Sequence, residues 1–97
     1  MTWSIIARDP LTGQIGIAVA TRFFAVGARV PHIAPGIGGI ATQALVNPYY
    51  GIDGVRLLRE GRSPREVIDT LIAGDDGREA RQLHVMDIRG RIAAHTG

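Results

Sequence analysis

The first twenty residues alternate between apolar and turn-forming segments in a way that predicts a β-hairpin. Residues 3–8 and 15–20 are mostly apolar, and residues 9–13 (DPLTG) between them have the composition of a turn. The second run is apolar on both faces, which is typical of a central strand. Residues 36–44 predict a third strand, whereas glycine and proline interrupt residues 21–35 and predict an irregular segment there.

The middle of the chain carries two helical patterns. The first helix is expected to begin with Asp53 as its cap and to stop at Gly61. The second has the strongest local signal, because residues 63–66 (SPRE) form a capping box with proline at the first helical position. Apolar residues between positions 67 and 72 lie on one stripe of this helix, which is predicted to end at Gly74.

The last quarter of the chain predicts a second hairpin, formed by residues 83–87 and 91–95 around a tight turn. The order β-β-β-α-α-β-β is typical of an α+β fold, and no linker or repeat divides residues 1–97. Two apolar helices and several half-apolar strands need more cover than this length supplies. We therefore expect a single domain that is completed by a partner chain or a continuation.

Composition excludes several kinds of function. The chain has a net charge of +2, and its eleven cations are all arginines that often alternate with acids, so a nucleic-acid surface is not expected. It has no cysteine, and its three histidines lack ligand spacing, so neither a metal nor a cofactor is expected. No secretory signal or membrane-spanning run is present, which predicts a cytoplasmic protein without membrane contact.

Thr2 is the residue whose position most directly suggests chemistry. Methionine aminopeptidases usually remove an initiator methionine when the next residue is small, and threonine qualifies. The mature chain would then begin with a hydroxyl and a free α-amine on one residue. An α-amine has a pKa near 8, so a fraction is neutral at pH 7 and can accept the hydroxyl proton. A nucleophile and its base would thus share one position.

Sequence blocks along the whole chain carry a resemblance to a known family. The blocks are residues 2–9 (TWSIIARD), 16–23 (GIAVATRF), 41–44 (ATQA), 47–51 (NPYYG) and 94–97 (AHTG). Together they resemble a bacterial family of uncharacterised function that is usually grouped with the N-terminal-nucleophile (Ntn) hydrolases. A domain of that family continues for about as long again, so this chain resembles its N-terminal half.

The resemblance implies a fold, a reaction and a set of site residues. The fold is an αββα sandwich of antiparallel sheets with flanking helices. The reaction is hydrolysis of an amide or related C–N bond in a small substrate by an N-terminal Ser, Thr or Cys. A homo-oligomer is expected. Comparison with proteasome β-subunits of the same superfamily, together with the matched blocks, implies catalytic roles for Thr2, Arg22, His95 and Thr96. Oxyanion or substrate contacts are implied for Thr21, Gln43, Ala44 and Asn47.

Two departures from the proteasome pattern leave alternatives open. The chain has no lysine, and Ala20 stands where those enzymes carry an acid. A non-catalytic subunit that keeps the fold and binds a ligand is therefore the main alternative. Autoprocessing in this superfamily commonly cuts after a glycine, so Gly97 is also a candidate processing end. The nucleophile would then be the next residue, on a second chain.

Overall fold

The protein, described over residues 1–97 by a computed structural model, is an α+β domain of six strands and two α-helices. Its elements in chain order are β1 (Thr2–Arg8), β2 (Ile15–Thr21), β3 (Pro31–Ala34), β4 (Gly38–Ala44), α1 (Tyr49–Arg59), α2 (Pro64–Ala73), β5 (Arg81–Asp87) and β6 (Ile92–Thr96). Short 3-10 turns lie at Val26–Ala28 and Arg78–Ala80. The predicted α+β class is confirmed.

The strands form two antiparallel sheets that face each other. One contains only β1 and β2, and the other has the order β3-β4-β5-β6. The sheets approach closely at Gly39, where an added Cβ would lie 3.2 Å from the Cδ1 atom of Ile17 and 3.3 Å from the Cγ2 atom of Ile15. A larger residue at this point of β4 would push β2 away, so the glycine sets the spacing between the sheets.

The hydrophobic core lies between the four-stranded sheet and the two helices. It consists of Ile40, Tyr50, Leu57, Leu58, Val67, Ile68, Leu71, Leu83 and Val85. The predicted capping box of α2 is present: Ser63 Oγ accepts from the Glu66 N–H at 3.2 Å, and Glu66 Oε1 accepts from the Ser63 N–H at 3.0 Å. This cap begins α2 at the predicted residue and orients its apolar stripe toward β5 and β6.

Three local predictions differ from the structure. Helix α1 begins at Tyr49, four residues before the predicted cap Asp53, because Asn47 Oδ1 accepts the Tyr49 N–H at 3.1 Å and satisfies the helix start. Residues 31–34 form β3 although the segment was predicted to be irregular. Proline is tolerated at its first position because β3 is an edge strand. Within residues 1–97, strand β2 pairs only with β1 and does not lie between two strands.

The outer face of the β1–β2 sheet is apolar and exposed. Side chains on this face alternate with inward-facing ones, and they belong to Trp3, Ile5, Ala7, Gly16, Ala18 and Ala20. Trp3 is 71% exposed and Ile5 is 61% exposed. Apolar residues on both faces explain why the sequence pattern of β2 is typical of a central strand. Both helices pack on the other sheet, so residues 1–97 contain three layers. Neither helix has the length and apolar character needed to cross a bilayer.

Candidate functional site

Four strand ends meet at one edge of the two facing sheets. Thr2, the first residue of β1, lies opposite Thr21, the last residue of β2. Ala44 ends β4 opposite the start of β5, and Thr96 ends β6 opposite Gln82 near the same point. Residues that are far apart in the sequence are therefore neighbours, because antiparallel pairing brings the start of one strand beside the end of the next.

Two adjoining clefts open at this edge. The first, which we call the Thr2 cleft, has a volume of about 600 Å³ and is lined by Met1, Thr2, Thr21, Arg22, Phe23, Val26, Arg29, Val30, Gln43, Ala44, Leu45 and Val46. The second, the His84 cleft, has a volume of about 700 Å³, shares Met1, Thr2 and Gln43 with the first, and adds Ser4, Gln82, His84 and Thr96 among others. Five predicted site residues thus line the Thr2 cleft: Thr2, Thr21, Arg22, Gln43 and Ala44.

The Thr2 hydroxyl is in direct contact with Thr21. Thr2 Oγ1 donates to Thr21 Oγ1 at 3.0 Å, and Thr21 Oγ1 donates to the Met1 carbonyl at 3.1 Å. That carbonyl belongs to the planar peptide group whose nitrogen is the nitrogen of Thr2. The Thr21 hydroxyl therefore contacts the peptide group whose nitrogen would become the α-amine if Met1 were removed.

Gln43 connects the two sheets through a hydrogen-bonded chain with a defined direction. The Thr2 carbonyl can only accept, so the amide nitrogen of Gln43 faces it, at 3.1 Å. The Gln43 oxygen then faces Ser4 Oγ, which donates to it at 2.6 Å. Ser4 Oγ lies 2.9 Å from His84 Nε2 and has no further proton to give, so His84 Nε2 is the donor.

The direction of these hydrogen bonds determines whether Ser4 and His84 can act as a nucleophile and its base. A serine within 2.9 Å of a histidine nitrogen has the spacing of a nucleophile and its base. Here the serine proton is committed to Gln43, and the histidine carries a proton on Nε2, so His84 is not a base for Ser4. Burial lowers the pKa of His84, which favours the neutral form of the ring, and the hydrogen bond to Ser4 places its proton on Nε2. The pair is a support for Gln43.

Sequence analysis missed Ser4, Gln82 and His84 as members of this network. Gln43 Nε2 also contacts Gln82 Oε1, and Gln82 Nε2 donates to Thr96 Oγ1 at 3.2 Å. Thr96 is thereby linked to the Thr2 carbonyl through two glutamines. The alternation of side chains along a strand could have indicated these residues. Ser4 lies on the same face of β1 as Thr2, and His84 lies on the same face of β5 as Gln82.

Ala44 adopts a left-handed backbone conformation with φ of 69° at the mouth of the Thr2 cleft. The backbone N–H of Thr42 donates to Val30 O, and that of Leu45 donates to Ala80 O. In β4, the backbone N–H and C=O groups of even-numbered residues therefore point toward β3, and those of odd-numbered residues point toward β5. The Ala44 N–H therefore points to the β3 side, beyond the last pair of β3 and β4. It is left free to bind a ligand.

The N–H group of Gln43 is not available in the same way. Gln43 is an odd-numbered residue of β4 and lies opposite Gln82, so the sheet directs its N–H toward β5. The oxyanion contact that the resemblance implied for Gln43 can therefore not come from its backbone N–H. The contribution of Gln43 to the site comes instead from its side chain, which is 7% exposed.

Asp75 anchors the chain just beyond Ala44. Its carboxylate accepts from Arg81 Nε at 2.9 Å and from the Tyr50 hydroxyl, and Arg81 Nη1 donates to the Leu45 carbonyl at 2.7 Å. The Arg81 hydrogen bond, followed by that of Tyr50, holds the pKa of Asp75 well below its usual range. Burial, and then the hydrogen bond to Asp75, raises the pKa of Tyr50 to about 12. Asp75 is thus a fixed anion that holds the segment after Ala44.

Three predicted site residues, His95, Asn47 and Gly97, lie outside both clefts, whereas Thr96 lines the His84 cleft alone. His95 is on the face of β6 opposite Thr96, toward the helices, and its Nε2 lies 3.0 Å from the Arg78 carbonyl. Asn47 supports the start of α1. Gly97 donates its N–H to the Arg81 carbonyl at 2.9 Å, so it continues β6 beside β5. Residues 1–97 contain no group of three or more His, Cys, Asp or Glu side chains arranged to hold a metal ion.

Fold and site together define a small α+β domain in which two antiparallel sheets bring polar strand ends to one edge. The chain belongs to a family of unknown function (DUF1028), whose model matches residues 2–97. It is similar to protein SPO2555 from Silicibacter pomeroyi, a crystal structure assigned to the same family, with 39% sequence identity and a TM-score of 0.95. The match covers 99% of this chain and 43% of that one, so this chain spans less than half of that protein's length. No curated protein matches the chain.

Proposed function

We propose that this chain is part of an Ntn-type amidohydrolase in which Thr2, freed by removal of Met1, is the nucleophile. One observation carries the proposal. Thr2, Thr21 and Ala44 lie at the ends of three different strands, and they line one cleft together with Arg22 and Gln43. The Thr2 hydroxyl can serve as the nucleophile, its freed α-amine as the base and the Ala44 N–H as the donor to the oxyanion, which are the parts that attack on an amide carbonyl needs.

The proposed reaction begins with attack of Thr2 Oγ1 on the carbonyl carbon of the substrate amide. The hydroxyl proton passes to the α-amine of Thr2, and the substrate oxygen becomes an oxyanion that accepts from the Ala44 N–H. The protonated amine then gives its proton to the substrate nitrogen as the C–N bond breaks. Water, activated by the same amine, hydrolyses the resulting ester and restores Thr2.

The neighbours of Thr2 have separate tasks in this scheme. The Gln43 amide holds the Thr2 carbonyl and thereby the direction of the first residue. Thr21 Oγ1, in contact with the Met1–Thr2 peptide group, orients the future α-amine toward the hydroxyl. Arg22 supplies positive charge, which lowers the pKa of a nearby amine. It cannot exchange protons itself, because arginine stays protonated.

We also propose that the full domain is an αββα sandwich. The apolar outer face of the β1–β2 sheet supports this, because a face with Trp3 and Ile5 as its largest exposed members is costly to leave in water. Helices from a second chain or from a C-terminal half of the same precursor would cover it. The greater length of the Silicibacter pomeroyi protein is consistent with such a half. A homo-oligomer remains part of the proposal.

The proposal requires a free amine and a hydroxyl on one terminal residue, and this can be tested chemically. Periodate cleaves a 1,2-amino alcohol to an aldehyde, which an aminooxy dye then labels. We expect the native, untagged protein to be labelled at Thr2. A Thr2→Ala variant should not be labelled, whereas Thr2→Ser should be. Unlabelled protein that retains Met1 would exclude Thr2 as the nucleophile.

The same experiment separates the alternatives. Labelling of a fragment that begins immediately after Gly97 would assign the nucleophile to a second chain. A protein that carries the free Thr2 terminus but binds ligands without turning them over would be a non-catalytic subunit. The absence of lysine from residues 1–97 is the observation that keeps this second function under test.

A further inference from the structure

The Thr2 cleft is lined by cations without acids. Arg22 and Arg29 are among its twelve lining residues, and none of the twelve is Asp or Glu. The Ala44 N–H, which has no partner in the sheet, adds a further hydrogen-bond donor at the same place. The cleft therefore offers an electrostatic environment suited to an anionic group.

Both arginines of the cleft lack acidic partners, which five of the other nine arginines have. Five arginines, namely Arg56, Arg65, Arg78, Arg81 and Arg91, form ion pairs with carboxylates. Arg22 and Arg29 take part in no ion pair and in no side-chain hydrogen bond. Their donors are consequently available, and two like charges in one cleft favour an anion between them.

Arg29 is held in a definite place by an aromatic ring. Its guanidinium carbon lies 5.1 Å from the centroid of the Phe23 ring, a cation–π distance. The contact uses none of the guanidinium N–H groups as hydrogen-bond donors to another side chain, and these N–H groups form the fork that matches a carboxylate. The stacking thus reduces the entropy that Arg29 would lose when it binds an anion.

We propose that the Thr2 cleft recognises an amide substrate that bears a carboxylate, which Arg22 and Arg29 bind while the amide carbonyl lies between Thr2 and Ala44. The choice of the substrate amide rests on the proposed function, but the anion site does not. A singly charged carboxylate fits better than phosphate because Val26, Val30, Leu45 and Val46 form much of the remaining wall. Moving a doubly charged phosphate from water to such an apolar wall costs more desolvation free energy than moving a singly charged carboxylate.

The test uses matched ligands and a protein that cannot turn them over. The ligands are N-acetylated amino acids with side chains from alanine to phenylalanine, together with inorganic phosphate. Each N-acetylated acid is compared with the primary amide made from its carboxyl group. Binding to full-length Thr2→Ala protein is followed by NMR titration. We expect acids of the panel to bind at least about tenfold more tightly than their amides, as loss of charge-assisted hydrogen bonds implies.

Charge-matched variants locate the site. Arg22→Gln and Arg29→Gln should each remove most of the preference for the acid. Arg59→Gln removes the same charge from an exposed, unpaired arginine on α1 outside the cleft and should leave the preference unchanged. Thermal unfolding of all three variants confirms that they are folded. A preference that survives in both cleft variants would overturn the proposal.

Other outcomes also decide. If no acid in the panel binds better than its amide, the carboxylate site does not exist. If phosphate binds more tightly than every acid, the site is for phosphate and the carboxylate assignment is wrong. Turnover that persists in Thr2→Ala would end the proposed function while leaving the carboxylate preference intact. Equal binding of acid and amide in a protein that needs Thr2 for turnover would end this inference alone.

Discussion

The amide of Gln43 on β4 holds the backbone carbonyl of Thr2 on β1, with 3.1 Å between Nε2 and the carbonyl oxygen. A single buried side chain thus joins the two sheets at the residue that we propose as the nucleophile. Because Gln43 directly precedes Ala44, it also connects Thr2 with the strand end that carries the free N–H group. The geometry of the site therefore depends on this contact.

Replacing Gln43 with Glu tests the direction of the network. A carboxylate can accept from Ser4 but cannot donate to the Thr2 carbonyl or to Gln82, so two acceptors lose their donor. We expect the free energy of unfolding to fall by about 1–3 kcal/mol and turnover to fall with it. Chemical denaturation and activity measurements check this. Gln14→Glu in the exposed first hairpin adds the same charge as a control, and equal effects of the two variants would contradict the network.

Ala44 offers a test of backbone strain. Its φ of 69° disfavours side chains with a β-branch, whereas glycine adopts such angles freely. We expect Ala44→Gly to change stability by less than about 1 kcal/mol and to retain activity, because the N–H group remains. Ala44→Val should cost about 1–2 kcal/mol or more and reduce activity. Equal stability of the glycine and valine variants, measured by denaturant unfolding, would show that the strand end is not held in this conformation.

Asp75 should make stability depend on acid pH. Its pKa is lowered in the folded protein from an ordinary value of 3.8, so it stabilises the fold above about pH 4 and loses that effect as the pH falls further. Asp75→Asn should lower the melting temperature at neutral pH by several degrees and flatten its decline below pH 4. Asp76→Asn, at the exposed neighbouring position, is the control. Parallel acid profiles for wild type and Asp75→Asn would exclude this role.

The outer face of the β1–β2 sheet can be tested by adding charge. If helices cover it in the full protein, Ile5→Asp buries a carboxylate and removes an apolar side chain. Stability should then fall by about 2 kcal/mol or more. Leu11→Asp lies at the hairpin turn, where Leu11 is 94% exposed, and should have little effect. Thermal unfolding of the full-length variants decides, and an Ile5→Asp protein as stable as Leu11→Asp would mean that this face is uncovered.

Local signals account for the elements that sequence analysis predicted well. The capping box at Ser63 acts within one helical turn, and the first hairpin follows from alternation around a short turn. Strand β3 could not be predicted in this way, because its four residues begin with Pro31 and are stabilised by pairing with β4. The start of α1 is supported by an Asn47 side-chain contact, and Asp53, the predicted cap, lies inside the helix.

The candidate site was predictable in part. Resemblance pointed to Thr2, Thr21 and the end of β4, which the fold brings to one cleft. It also pointed to His95, which strand alternation places on the far side of β6 from that cleft. His84 supports Gln43 through Ser4, and this Ser4–His84 contact joins the two sheets across 80 residues of sequence, which no local pattern contains.

The measurement that tests the account most directly is mass mapping of the native protein after treatment with a peptide epoxyketone. This electrophile closes a ring with both a hydroxyl and an α-amine of one residue, so it reports nucleophile and base together. We predict a single adduct on Thr2, lost in Thr2→Ala and retained in Thr2→Ser, with Thr12→Ala unchanged as a control. An adduct on any other residue, or Thr2→Ala protein with full hydrolytic activity, would contradict the account.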